Sequence, residues 1–314
     1  AYNGELYNYR EIRKSLESEG VTFQTDTDTE VFYEAWGKWQ EQALLIFNGM
    51  FAAVIYDLQS HAIYLARDIS GQKPLYYYLT DRLFAVASEA KAFQELPIQL
   101  EITESSENEF YENFQHNHKN TLYKNVFQVS PATFVKYDHN TNKVVEHEYW
   151  TPSFGGYSGT YDHATEELRE LIAQSVKRHS NSEVKYGLYL SDGLDSNILN
   201  LVGRFENTYT YTSTSDSEKD IYRKLPEITR SLDFPIASLS SYPLYRLAEM
   251  ASEDNCTVVL SGEGADELFG GYVRYLLPLA VNELWESKSN YRPLFSKDVP
   301  DPDCIFSKIT CRGN

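Results

Sequence analysis

The sequence predicts an α/β protein in two parts, an α-plus-antiparallel-sheet region followed by a parallel sheet with helices on its faces. Three observations carry this. Apolar runs at 51–57, 62–67, 75–79 and 83–87 come in pairs joined by short polar turns, as hairpins do. From residue 164 onward short apolar runs alternate with helix-period segments, the pattern of a parallel sheet. Between the two lies 151–161, Thr-Pro-Ser-Phe-Gly-Gly-Tyr-Ser-Gly-Thr-Tyr, whose glycines and proline mark a linker.

In the first part, 5–18 reads as a helix because Tyr9, Ile12 and Leu16 recur at helical spacing, and Gly20 stands where a C-terminal glycine belongs. The two hairpins turn around Gln59-Ser60-His61 and Thr80-Asp81-Arg82. The boundary is placed in the linker, giving domains 1–155 and 156–314. In the second part a helix over 164–179 carries Leu168, Leu171, Ile172 and Val176 on one stripe. Strands at 186–190, 208–212, 235–239 and 257–260 then alternate with helices at about 195–202, 218–232 and 244–253. Residues 282–314 read as polar, proline-containing and irregular.

Composition narrows the function. A chain of 314 residues with 42% hydrophobic and 14% aromatic content can bury two ordinary cores. Its net charge of −18 repels phosphate backbones and argues against nucleic-acid binding. No apolar stretch approaches the ~20 residues that span a bilayer, so no membrane partner is expected. The three cysteines, Cys256, Cys304 and Cys311, show no metal-site spacing, and so sparse a set fits a cytoplasmic setting. Ala1 falls directly against a motif, and the chain reads as one lacking its natural start.

Two loops carry the chemistry. Ser191-Asp192-Gly193-Leu194-Asp195-Ser196 follows the strand at 186–190 and opens a helix, whose N–H groups and dipole suit an anion. Ser261-Gly262-Glu263-Gly264-Ala265-Asp266-Glu267 follows the strand at 257–260. Both lie at strand carboxyl ends, where parallel sheets bind ligands. Ser191, Gly193 and Ser196 could grip phosphate, and Asp195 could hold Mg²⁺ against phosphate oxygens. Glu263 and Asp266 share a face if helix starts at once, leaving one carboxylate for metal and one for a proton. The bland reading is a pair of acidic helix caps. Matched chemistry at two strand ends disfavours it.

These loops, with Leu268-Phe269-Gly270-Gly271-Tyr272, resemble the synthetase domain of glutamine-dependent asparagine synthetases. Asn3-Gly4-Glu5-Leu6-Tyr7-Asn8-Tyr9, Thr27-Asp28-Thr29-Glu30, Phe47 to Ala52, Ala66-Arg67-Asp68, Gly71 to Tyr76 and Ala87 to Lys91 resemble the family's glutaminase domain in the same order. The resemblance implies a partial N-terminal-nucleophile hydrolase domain, then an ATP-pyrophosphatase (PP-loop) domain. Glutamine supplies ammonia, ATP activates aspartate to a β-aspartyl-adenylate, and ammonia attacks it. It further implies an oxyanion hole at Asn3 and Gly4, and glutamine binding by Glu5 and Asp28. Tyr189 would border adenine. Ser191, Gly193, Ser196, Ser261 and Gly262 would hold ATP and pyrophosphate. Asp195 and Asp266 would bind Mg²⁺, and Glu263 would accept the proton.

The chain departs from the family at three places. No cysteine occupies the nucleophile position. Asp192 stands where the family has glycine, which puts a charge near the phosphate and removes a residue at ease with positive φ. No continuation of the synthetase domain with its further basic residues is found after the second loop. Two alternatives therefore stay open: an inactive relative that binds or regulates, and a relative that amidates another carboxylate. The oligomeric state is open too, a homodimer included.

Overall fold

The computed structural model describes residues 1–113, 119–153, 155–180, 184–212, 218–236, 238–272 and 275. The expectations for 282–314, Cys304 and Cys311 lie outside them. The chain is mixed α/β and divides into two compact units, 1–181 with 214–245, and 182–213 with 246–314.

The first unit is built on two antiparallel sheets. Strands β1 (Tyr2–Leu6), β2 (Gly49–Asp57), β3 (Ala62–Arg67), β7 (Thr133–Asp138) and β8 (Lys143–Glu148) form one, in that order. Strands β5 (Phe84–Ala87), β4 (Tyr76–Leu79) and β6 (Val126–Gln128) form the other. The hairpin turns fall where the polar residues put them. Asp57 accepts from the amides of Gln59 and Ser60 and from the Ser60 hydroxyl, and so closes the first turn.

The helix expected over 5–18 begins later. Helix α1 runs Tyr9–Ser18, and residues 2–6 are strand β1, paired with β2 from Tyr2↔Ala53 to Leu6↔Gly49. Helical spacing begins only at Tyr9, whereas Tyr2, Gly4 and Leu6 alternate as a strand does. At its other end Gly20 takes φ +89, as its place after the helix demands. Helix α2 (Asp28–Trp39) has no counterpart in the sequence reading. Thr27 caps it, accepting from the Glu30 amide. Leu6, Ile12, Leu16, Val31, Phe32, Trp36, Phe47 and Phe51 make one core under these helices.

Helix α3 (Glu104–Asn113) precedes β6. After the linker, helix α4 (Tyr161–His179) forms as the period predicts, with Thr160 as its cap. Of its expected stripe only Val176 is buried; Leu168 and Leu171 are exposed. Helix α6 (Glu218–Leu232) spans the expected residues.

The strand expected at 235–239 does not form at described residues 235, 236, 238 and 239. Pro235 has no N–H to give a ladder, and Phe234 packs instead on Tyr76 of β4 with ring centroids 6.4 Å apart. Lys91 fastens the same place. Its amide and ammonium meet the Asp233 carboxylate, and its ammonium also reaches the carbonyls of Arg230 and Ser231 at the end of α6.

The second unit holds three parallel strands in the order β10 (Thr208–Tyr209), β9 (Tyr186–Tyr189), β11 (Val258–Leu260). Helices α5 (Leu194–Gly203) and α8 (Ala265–Phe269) follow β9 and β11, and helix α7 (Ser241–Glu253) leads to β11. Tyr209, Leu247, Ala251 and Cys256 form its core.

Candidate active sites

In the first unit the predicted residues gather at the end of β1. Gly4 pairs with Phe51, and a Cβ there would stand 2.3 Å from the Met50 carbonyl oxygen and 2.7 Å from the Phe51 Cα. Only glycine lets the strands lie so close. Asn3 is exposed on the same strand. Asp28 is the first residue of α2, and its carboxylate is tied to β1. It accepts from the Tyr2 hydroxyl at 2.9 Å and from the Leu6 amide at 3.0 Å, both on Oδ2. Burial, then the Asp28 charge, pushes the Tyr2 hydroxyl far above its ordinary range, so it stays a donor.

Glu5 is half-buried. Burial raises its carboxyl pKa, the Asp28 charge adds to the rise, and His179 and Lys73 oppose it. Glu5 thus feels a second acid and two bases at this corner.

Residues that the sequence motifs include, but to which the sequence reading gave no role, hold the corner. Asn8 bonds the Ile46 carbonyl and accepts from the Asn48 amide, and the Tyr7 amide donates to the Asn48 carbonyl. Asp68 is fully buried and accepts from the amides of Phe51, Ser70, Gln72 and Lys73 and from the Ser70 hydroxyl. Arg67 donates to the carbonyls of Gly71, Lys73 and Val129. Burial lowers its pKa, with Tyr76 and Asp68 opposing. An Arg-Asp pair before a glycine-bearing turn was the available signal: such a pair folds a loop by feeding its backbone.

In the second unit the structure brings the two loops together. A Cβ on Gly262 would lie 3.0 Å from the Asp195 Cβ and 3.2 Å from the Ser196 amide nitrogen. The second loop therefore rests its bare backbone on the start of α5. Gly193 is the residue before that helix and carries no side-chain cap. The Gly193 amide donates instead to Ser191 Oγ, and the Ser191 and Ser196 hydroxyls lie 3.0 Å apart. Asn197, which the sequence reading missed, donates to the carbonyls of Ser191 and Gly193 and staples the turn. Tyr189 ends β9, with burial raising its hydroxyl pKa and Cys256 adding to the rise.

Two expectations are corrected here. Glu263 does not share a helical face with Asp266, because α8 begins at Ala265, after Gly264 turns at φ +91. Glu263 is exposed ahead of the helix, its amide donating to Ser261 Oγ at 3.4 Å. Nor does Asp192 need glycine's freedom. It is absent from the residues of positive φ, and it is exposed. Asp266 is half-buried with its carboxylate over Gly271, where a Cβ would meet Oδ1 at 1.9 Å. Among the described residues no three His, Cys, Asp or Glu side chains cluster to hold a metal, and no helix is long and apolar enough to cross a membrane.

Residues 1–150 match the model of a glutamine amidotransferase domain family, and residues 167–214 and 210–302 that of the asparagine synthase family. The chain is 33% identical over 309 residues to asparagine synthetase [glutamine-hydrolyzing] 1 of Bacillus subtilis, covering 89% of this chain and 48% of that protein. It is 30% identical over 309 residues to a candidate glutamine-hydrolysing asparagine synthetase of Methanocaldococcus jannaschii, covering 88% of this chain and 59% of that one. The chain thus spans about half the length of the curated relatives it matches. Among solved structures, the glutamine phosphoribosylpyrophosphate amidotransferase of B. subtilis is similar at 16% identity and a TM-score of 0.36, over 70% of this chain and 47% of that one.

Proposed function

We propose a function from one premise, that this chain belongs to the glutamine-dependent asparagine synthetase family. The protein activates aspartate with ATP to a β-aspartyl-adenylate and amidates it with ammonia taken from glutamine. The first domain, 1–155, is of the N-terminal-nucleophile hydrolase type and the second, 156–314, of the ATP-pyrophosphatase type. The family matches, which end at 150 and resume at 167, support that boundary. A cytoplasmic setting belongs to the same proposal and is supported by a sequence with only three cysteines.

One observation carries the synthetase half: Gly262 seats the second loop on Asp195 and Ser196, at the carboxyl ends of adjacent parallel strands. Ser191, Gly193 and Ser196 then face one anion from the N-terminus of α5, and Ser261 and Gly262 border the nucleotide beside Tyr189. Asp195 and Asp266 offer hard oxygen donors that suit Mg²⁺. When bound, the ion would neutralise charge on the pyrophosphate oxygens. Glu263, exposed at the mouth, is the proton acceptor for the attacking ammonia.

In the first domain Asn3 and the Gly4 amide form the oxyanion hole, and Glu5 and Asp28 bind the amino-acid end of glutamine, Asp28 pairing with its ammonium. No covalent step is assigned to this chain's cysteines, which stand at 256, 304 and 311.

The test is ATP–pyrophosphate exchange with Mg²⁺ and aspartate. Exchange that needs aspartate supports the synthetase. Exchange that another carboxylate drives better moves the acceptor and keeps the reaction class. No exchange in this chain or in Asp192→Gly sinks the reading and leaves a binding or regulatory relative.

A further inference from the structure

Helix α4 ends in Lys177, Arg178 and His179, the basic last turn that a helix C-terminus favours. His179 lies in the stretch matched to the asparagine synthase family, yet it packs within the first unit. Its ring sits over Tyr7 with centroids 4.3 Å apart and planes at 47°. The orientation is fixed from behind, where Nδ1–H donates to the Ser175 carbonyl at 2.8 Å. A carbonyl can only accept, so Nδ1 carries a proton.

Tyr7 stands two residues after Glu5, at the point where β1 ends. Its amide is held by the Asn48 carbonyl. Its hydroxyl is pushed up by burial, then by the Glu5 and Asp68 charges. Glu5 in turn feels His179 and Lys73 as the basic groups set against Asp28. His179 therefore packs on the ring of the residue that follows β1 and adds a base to a corner with two carboxylates.

We propose that His179 is a positioning residue of the glutamine site: packed at a tilt on Tyr7, it fixes the end of β1 from which Glu5 meets the substrate. It acts through Tyr7 rather than by touching the reacting atoms. The proposal rests on the reading of this corner as the glutamine site and adds a residue supplied by the helix beyond the linker.

Calorimetric titration of the chain with L-glutamine tests it, with His179→Ala, His179→Phe and thermal melting of each. The tilted ring contact accounts for about a threefold to tenfold loss of affinity in His179→Ala, the range aromatic pairs span. His179→Phe keeps the ring contact and restores affinity to within about twofold of the unsubstituted chain by the same reasoning. Equal loss in both variants, or loss in neither, overturns the proposal. Failure of the unsubstituted chain to bind L-glutamine overturns the glutamine site itself, and the role of His179 with it.

Discussion

Asp28→Asn separates recognition from support at the glutamine corner. In the native carboxylate Oδ2 is used by the Tyr2 hydroxyl and the Leu6 amide, while Oδ1 receives only a long 3.4 Å contact from the Thr29 hydroxyl. Oδ1 is thus the atom left to meet a ligand ammonium. A pair of unit charges ~4 Å apart is worth about 1 kcal/mol in water and about 4 kcal/mol near a protein surface. Half-burial puts Asp28 between these limits, so the amide costs about 2 kcal/mol of glutamine binding, or about 30-fold in Kd. The asparagine carbonyl, set where Oδ2 lies, still accepts from both native donors, which limits the stability loss to about 1 kcal/mol. The assay is calorimetry with L-glutamine and with N-acetyl-L-glutamine, which has no ammonium. L-Glutamine binding drops while the binding of the acetylated ligand changes little. Equal losses for the two ligands would refute the ammonium pairing and leave Asp28 a purely structural residue.

Two further outcomes follow from the geometry. Gly262→Ala puts a methyl 3.0 Å from Asp195 Cβ and 3.2 Å from the Ser196 amide, so one loop must yield by a few tenths of an ångström. Pyrophosphate exchange falls at least about tenfold, as misplaced reacting groups require, while the melting temperature moves little. A variant with unchanged exchange would mean the loops need not touch. Glu5→Gln tests the buried acid by pH. Burial raises the native carboxyl above its ordinary value of 4.5, so the folded chain holds this proton to higher pH than the unfolded one. The stability tied to that proton is complete below 4.5 and is lost as pH rises through the raised native value. Glu5→Gln flattens that limb of a denaturation-midpoint series; an unaltered slope would show that Glu5 is not the group responsible.

Where local periodicity was strong, the sequence was a sufficient guide. The β2–β3 and β4–β5 hairpins, α4, α6 and the strand feeding each loop form where apolar spacing and turn residues place them. The failures have local causes. Strand β1 was hidden because its residues run straight into α1, so one helical period seemed to cover both. Helix α2 escaped because Val31, Phe32, Ala35 and Trp36 are buried beneath a polar cap that reads as a loop. The strand expected after Phe234 was lost to tertiary packing on β4, which no local pattern records. The same holds for the sites. The two loops announce themselves by residue type, and Asp28 and Gly4 through the family motifs that carry them, whereas Tyr7, Asp68 and His179 work through contacts with residues elsewhere in the chain.

Asp192 is where sequence and structure together say more than either alone. Two costs attach to an acid in a phosphate-gripping turn: backbone strain and charge repulsion. Strain is removed, since Asp192 keeps a negative φ and Gly193, with φ −73 and ψ 155, needs no glycine freedom either. Repulsion remains, but the side chain is exposed, which places it near the water-like limit of ~1 kcal/mol at ~4 Å and makes it sensitive to salt. Meanwhile the Ser191 and Ser196 hydroxyls bond each other and the Gly193 amide bonds Ser191 Oγ, so an arriving phosphate exchanges neutral hydrogen bonds for charge-assisted ones. That exchange is worth more than the screened repulsion costs. Asp192 therefore weakens the grip by less than tenfold and leaves the turn geometrically competent, and raising the salt concentration narrows the gap in nucleotide affinity between this chain and Asp192→Gly.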